Sequence, residues 1–178
     1  TYLPELGERT VDALYADALD ALLRMQASVD VTGLPAYDRG RLVAEMELMP
    51  EWFLRRHLGF VPGCEERDEI EAAFTFLVHA AQEQPRAFVH RDFHSRNLLV
   101  LDRDGPGVID FQDAVSGPIA YDLVSLLRDC YIEWDAARVD GWVEAHRQRL
   151  LHAHLLDTHV DATRFKPWFG LCGLPRRA

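Results

Sequence analysis

A chain of 178 residues, 48% of them apolar, has material for one medium domain with a sizeable core. Its formal net charge of -10, from 29 acidic against 19 basic residues, argues against non-specific nucleic-acid binding, which needs a basic footprint. Cys64, Cys130 and Cys172 are widely spaced and form no C-x-x-C pair, which speaks against structural zinc or a disulfide framework and for a reducing cytoplasmic setting; no apolar run approaches the ~20 residues of a membrane span, and no signal peptide opens the sequence.

The first element reads as an amphipathic helix over residues 10–27, capped by Thr10, with Val11, Leu14, Tyr15, Ala18, Leu22 and Met25 at helical spacing. The Gly and Pro of "DVTGLPAYD" make a loop. Asp38 then caps a second helix reaching about His57, with Leu42, Met46, Met49 and Phe53 inward and Gly59 as its stop; Pro50 predicts a kink or a division into two shorter helices. Trp52, beside Glu47 and Glu51, reads either as a platform for a sugar ring whose hydroxyls the acids hold, or as a core residue. A third helix follows in "EERDEIEAAFTFLVHAAQEQ", with Ile70, Ala73, Phe74, Leu77, Val78 and Ala81 on one face.

After Pro85 the period shortens. "AFVH", "NLLVL" and "GVIDF" read as short strands, the last two joined through "DRDG" as a hairpin. Gly105 and Gly107 belong to that turn and not to a phosphate loop, since no helix follows them. Helices resume near Ala120. The fold class is therefore α+β and mostly helical, with a small β insert. The segment "AHRQRLLHAHLLDTHV" reads as a solvated, His-rich helix, because His152 and His154 do not share a helix face.

Between "FV" and "LLVL" stand His90, Arg91, Asp92, His94, Ser95, Arg96 and Asn97, a polar loop between two buried strands. The hairpin returns Asp110 beside Asp92 and Asn97. Two carboxylates and a carboxamide form an oxygen-rich site suited to Mg²⁺. Phosphoryl transfer uses such a set: one carboxylate orients the acceptor hydroxyl and takes its proton, while another and an Asn hold the metal that bridges the phosphates. Two rival readings stand beside this one. His90, Asp92 and His94 form an H-x-D-x-H pattern that a metal-dependent hydrolase could use. A non-catalytic binding module of kinase shape is the other.

"HRDFHSRNLLV" followed by "VIDFQDAVSGPIAYDLVSLLRD" resembles the catalytic half of the aminoglycoside phosphotransferase family, the kinase-like group that includes choline and sugar kinases. The likeness is strongest over residues 88–129 and extends to "ALYADALDALLRMQ" and "EMELMPEWFLRRHLG". Through residues 36–59 it points to the branch of bacterial anomeric kinases for N-acetylmuramate and N-acetylglucosamine, which serve cell-wall sugar recycling. The resemblance implies the C-terminal lobe of a protein-kinase-like fold over residues 1–178, with ATP and Mg²⁺ as cofactors. It implies Asp92 as catalytic base, Asn97 and Asp110 as metal ligands, and His90 and Asp122 as supports of the loop. Leu99 and Ile109 would lie under the adenine, and Glu47, Trp52, Gln112 and Asp113 would face the substrate. Gln112 stands where protein kinases have Gly, and the short interval from Asp110 to Tyr121 leaves no room for a peptide-docking segment. The expected acceptor is thus a small molecule, an amino sugar first and an aminoglycoside or choline-type compound second. The only Lys is Lys166, far along the chain from the loop, and what precedes residue 88 reads as helical. The N-terminal nucleotide-binding lobe is accordingly expected to be missing from this chain, which alone should be inactive, and "WFGLCGLPRRA" is expected to continue into a further helix.

Overall fold

The structure is a computed structural model that describes residues 1–102 and 105–173, so the centre of the expected "DRDG" turn and the last five residues lie outside the described residues. A short 3₁₀ turn, Leu3–Glu5, leads into α1, Val11–Ser28, whose Val11, Tyr15, Ala18 and Leu22 are buried as their spacing requires. Thr10 does not cap α1 through its side chain. Its hydroxyl accepts from the Gly7 N–H at 3.0 Å and donates to the Glu5 carbonyl at 2.6 Å, which ties down the turn before the helix.

Asp38 does cap the next helix, accepting from the Arg41 N–H at 3.0 Å. That helix, α2, runs Arg39–Met46 and then gives way to a π-helix, Met49–His57. Pro50 supplies the cause, since it cannot donate into the α-helical ladder. The wider turn carries Phe53 out of the expected inward face, to 44% exposure, and leaves Trp52 55% exposed instead of in a core. Gly59, at φ +65°, ends the segment in a conformation that favours glycine. Helix α3, Cys64–Gln82, buries Phe74, Val78 and Ala81; Ala73 is exposed, contrary to its expected place on the inner face.

Strands β1, Arg86–Val89, and β4, Val115–Pro118, pair antiparallel, and so do β2, Leu98–Leu99, and β3, Gly107–Val108. Strand β4 is absent from the sequence reading because "VSGP" looks like a turn. Gly117 earns its place by contact: a Cβ there would lie 3.0 Å from the Tyr37 Cβ. Helices α4, Tyr121–Leu127, α5, Ala136–His152, and α6, Ala162–Cys172, complete the chain, with Asp135 and Asp161 capping the last two. Two apolar cores result. The larger joins α1, α4, α5 and α6 and includes Phe93 and Leu98; the smaller joins α2 and α3 to Val89, Val115 and Tyr121. The polar loop after β1 is therefore anchored in both, through Val89 on one side and Phe93 on the other. No helix among the described residues is long and apolar enough to cross a membrane.

One His of the helix expected to be solvated is instead core. His146 is fully buried, and neither ring nitrogen has a hydrogen-bond partner among the described residues, whereas His152, His154 and His159 are exposed. Burial, then repulsion from Arg149, pushes its pKa from 6.5 down to about 3. Below pH 6.5 the unfolded chain takes up a proton that the folded chain refuses until about pH 3, so stability falls as pH falls through that window. Between pH 7 and pH 5 this group should remove about 2 kcal/mol. Burial lowers the pKa of His90 as well, which adds to the same limb. Urea unfolding of His146→Leu should show a shallower acid limb than the parent chain; an identical limb would contradict the assignment.

Candidate active site

The loop after β1 is held by side chains from distant segments. Asp122, fully buried in the first turn of α4, accepts from the backbone N–H groups of His90 at 2.6 Å and Arg91 at 3.1 Å. Asp129, just beyond α4, accepts from the Ser95 N–H at 3.0 Å and from the Ser95 hydroxyl, and its other oxygen accepts from the Tyr131 N–H at 3.1 Å. His90 is fully buried against the Phe93 ring, with centroids 6.0 Å apart. Burial lowers its pKa, while Asp92, the Ile109 backbone and Asp110 pull the other way, so the ring is a neutral packing group near pH 7. Arg91 adopts φ +78° and Asp110 φ +72°, a left-handed conformation uncommon for residues other than glycine and one found repeatedly at functional sites.

Asn97 links the two halves of the site. Its Nδ2 donates to the Asp92 carbonyl at 3.0 Å and lies 3.3 Å from Asp110 Oδ2. Its own carbonyl accepts from the Ile109 N–H at 3.1 Å, next to the β2–β3 pairing. The second Asp110 oxygen accepts from Gln112 Nε2 at 2.8 Å. Asp92, Asn97 and Asp110 are thus brought to one place, with Gln112 beside them. Asp110 is an exposed carboxylate, the hard-oxygen ligand that Mg²⁺ takes, whereas Asn97 turns its Nδ2 toward it, so the Asn97 amide has to rotate before its Oδ1 can serve the ion. No group of three or more His, Cys, Asp or Glu side chains among the described residues is arranged to hold a metal, which leaves the H-x-D-x-H reading without support.

The other candidates are placed as follows. Leu99 lies in β2 and Ile109 directly after β3; Ile109 is 43% exposed on a hairpin whose Val100, Leu101 and Phe111 are also exposed. Asp113 is exposed after Gln112. Glu47 faces α3, in a small pocket of about 110 Å³ shared with Arg67 and Glu71. Trp52 carries Arg56, whose guanidinium carbon is 4.2 Å from the ring centroid. From the same segment Glu45 is joined to the loop, its carboxylate pairing with Arg91.

Sequence reasoning also missed a cleft. About 1010 Å³ of space opens beside the loop, edged by His94 and lined by Arg128, Tyr131, Glu133, Trp134 and Asp140. The run of charged and aromatic residues "RDCYIEWD" was its only signal in the sequence, and nothing local says that it faces the loop. Arg96 reaches this rim, donating to the Tyr131 hydroxyl at 3.2 Å.

The model of the phosphotransferase enzyme family matches residues 1–158. A Pseudomonas putida N-acetylmuramate/N-acetylglucosamine kinase is 38% identical over 176 residues, 99% of this chain and 51% of its own length. The Pseudomonas aeruginosa kinase of the same name is 46% identical over 140 residues, 78% of this chain and 41% of its own. The chain thus spans about half the length of these relatives. Among solved structures, the ADP-bound aminoglycoside phosphotransferase APH(2'')-Ib superposes with a TM-score of 0.56 at 16% identity, over 98% of this chain and 69% of that one. That likeness speaks to the fold, which is kinase-like.

Proposed function

The chain belongs to the phosphotransferase enzyme family, and from that premise we propose that it forms the catalytic and acceptor-binding part of a small-molecule kinase that phosphorylates a hydroxyl of an amino sugar. The observation that carries the reading is the Asn97 side chain, which bridges the Asp92 backbone and the Asp110 carboxylate.

Asp92 takes the acceptor's hydroxyl proton as the oxygen attacks the γ-phosphorus of ATP. The new O–P bond forms as the bond to the ADP oxygen breaks, and ADP leaves. Asp110 and Asn97 would hold Mg²⁺, which when bound neutralises phosphate charge. Asp122 and Asp129 fix the loop, so that Asp92 need not be reoriented during the step. Leu99 and Ile109 offer apolar surface to the nucleotide base. The cleft beyond His94 is the acceptor site: it is large enough for a sugar, its Trp134 suits the apolar face of a sugar ring, and its Glu133 suits hydroxyls, while Asp140 is paired with Lys166 at 2.8 Å and the Tyr131 ring carries Arg96. On this reading the acceptor lies away from Glu47 and Trp52.

The relatives, named as N-acetylmuramate/N-acetylglucosamine kinases, support those two sugars as the acceptors. The complete gene product should therefore show kcat/KM at least tenfold higher for either sugar than for kanamycin-like aminoglycosides or choline. A faster aminoglycoside would move the reading to an antibiotic-modifying kinase, and a faster choline to a choline kinase. Glu133→Gln should raise KM for the sugar several-fold and leave KM for ATP unchanged; an effect on ATP alone would remove the cleft from acceptor binding.

A further inference from the structure

Arg91 immediately precedes the proposed base, and its backbone sits in the left-handed region that an L-residue adopts only at a cost. Something must hold it there. Asp122 holds its N–H. Its guanidinium is held elsewhere: Nη2 donates to Glu45 Oε1 of α2, while Nε is buried and meets no acceptor among the described residues. Glu45 is thus the carboxylate paired with a partly buried cation, the two side chains being 27% and 30% exposed. Removing one member of such a pair leaves the other poorly compensated.

The second Glu45 oxygen accepts from the Tyr37 hydroxyl. Burial, with Tyr121 and Glu45 nearby, raises the Tyr37 pKa well above that of an ordinary phenol, so Tyr37 remains a donor at any physiological pH. Tyr37 is itself fixed: its N–H donates to the Ser116 carbonyl of β4 at 2.8 Å, and its hydroxyl lies 3.3 Å from that of Tyr121, the neighbour of Asp122. The two anchors of Arg91 therefore belong to one connected set drawn from α2, β4 and α4.

We propose that Glu45 is a positioning residue for the transfer: by holding the Arg91 side chain it fixes the loop that presents Asp92. Its chemical consequence rests on the phosphotransferase reading above.

Amide hydrogen exchange and steady-state kinetics on the complete gene product test this together. In Glu45→Gln, the amides of residues 91–94 should exchange at least tenfold faster, while those of α1 barely move. kcat should drop about tenfold with the nucleotide Kd within twofold. Adding Arg91→Met to Glu45→Gln should cost little beyond the larger single loss, because both act through one contact. Tyr37→Phe, which deletes one hydroxyl, should reproduce the effect in weaker form and guards against a variant that fails to fold. Unchanged exchange at residues 91–94 in Glu45→Gln would overturn the proposal, and so would losses that simply multiply in the double variant. If the parent protein transfers no phosphate to any acceptor, the kinase reading fails, and the exchange experiment still decides whether Glu45 holds the loop.

Discussion

Asp92→Asn should lower kcat of the complete gene product by about 10²–10⁴-fold, the usual contribution of a positioned general base, with nucleotide affinity changed less than twofold. Asn matches Asp in shape, so the contacts that build the loop survive. The Asp92 carbonyl still accepts from Asn97, Asp122 still holds His90 and Arg91, and Asp129 still holds Ser95. What is lost is the ability to take a proton as the hydroxyl attacks. A loss in kcat with KM nearly constant marks an interaction made in the transition state. A variant keeping a tenth or more of the parent kcat would remove Asp92 from the role.

The second large effect concerns Asp110. Asp110→Asn should abolish the Mg²⁺-dependent part of nucleotide binding, seen by calorimetry as equal ATP affinity with and without the ion. Asn is the better probe than Ala, because the position sits at φ +72°, which Asn tolerates and Ala does not. Asn97→Ala should instead shift the Mg²⁺ requirement upward, since Asp110 retains its bond from Gln112. ATP·Mg²⁺ binding to Asp110→Asn with parent affinity would show that the ion is held elsewhere.

The parts of this site that lie close in sequence were legible. The polar loop stands between apolar runs, the hairpin returns Asp110 to Asn97, and the buried face of α1, like that of α3 apart from Ala73, follows its spacing. The parts that depend on distant partners were not. Asp129 reaches Ser95 across 34 residues and Glu45 reaches Arg91 across 46, and no periodicity encodes either. Strand β4 was hidden by its own composition: Gly117 and Pro118 signal a turn, yet Gly117 is required by the Tyr37 ring against it. Phe53 was misplaced because a 3.6-residue period was carried across Pro50, where the chain becomes a π-helix; of the two readings of Trp52, its exposure removes the core one. His146 looked solvated by residue type alone, and only the packing of α5 shows it buried.

Phosphoryl transfer onto a sugar hydroxyl is followed most directly by ³¹P NMR. The complete gene product is incubated with ATP, Mg²⁺ and N-acetylmuramate, with N-acetylglucosamine in a parallel sample. A new phosphomonoester resonance, coupled to the anomeric proton and growing in step with ADP, is the expected result, and Asp92→Asn should suppress it. ADP and inorganic phosphate appearing at the same rate with and without sugar, or a resonance that persists in Asp92→Asn, would contradict the assignment of this loop as the phosphoryl-transfer centre.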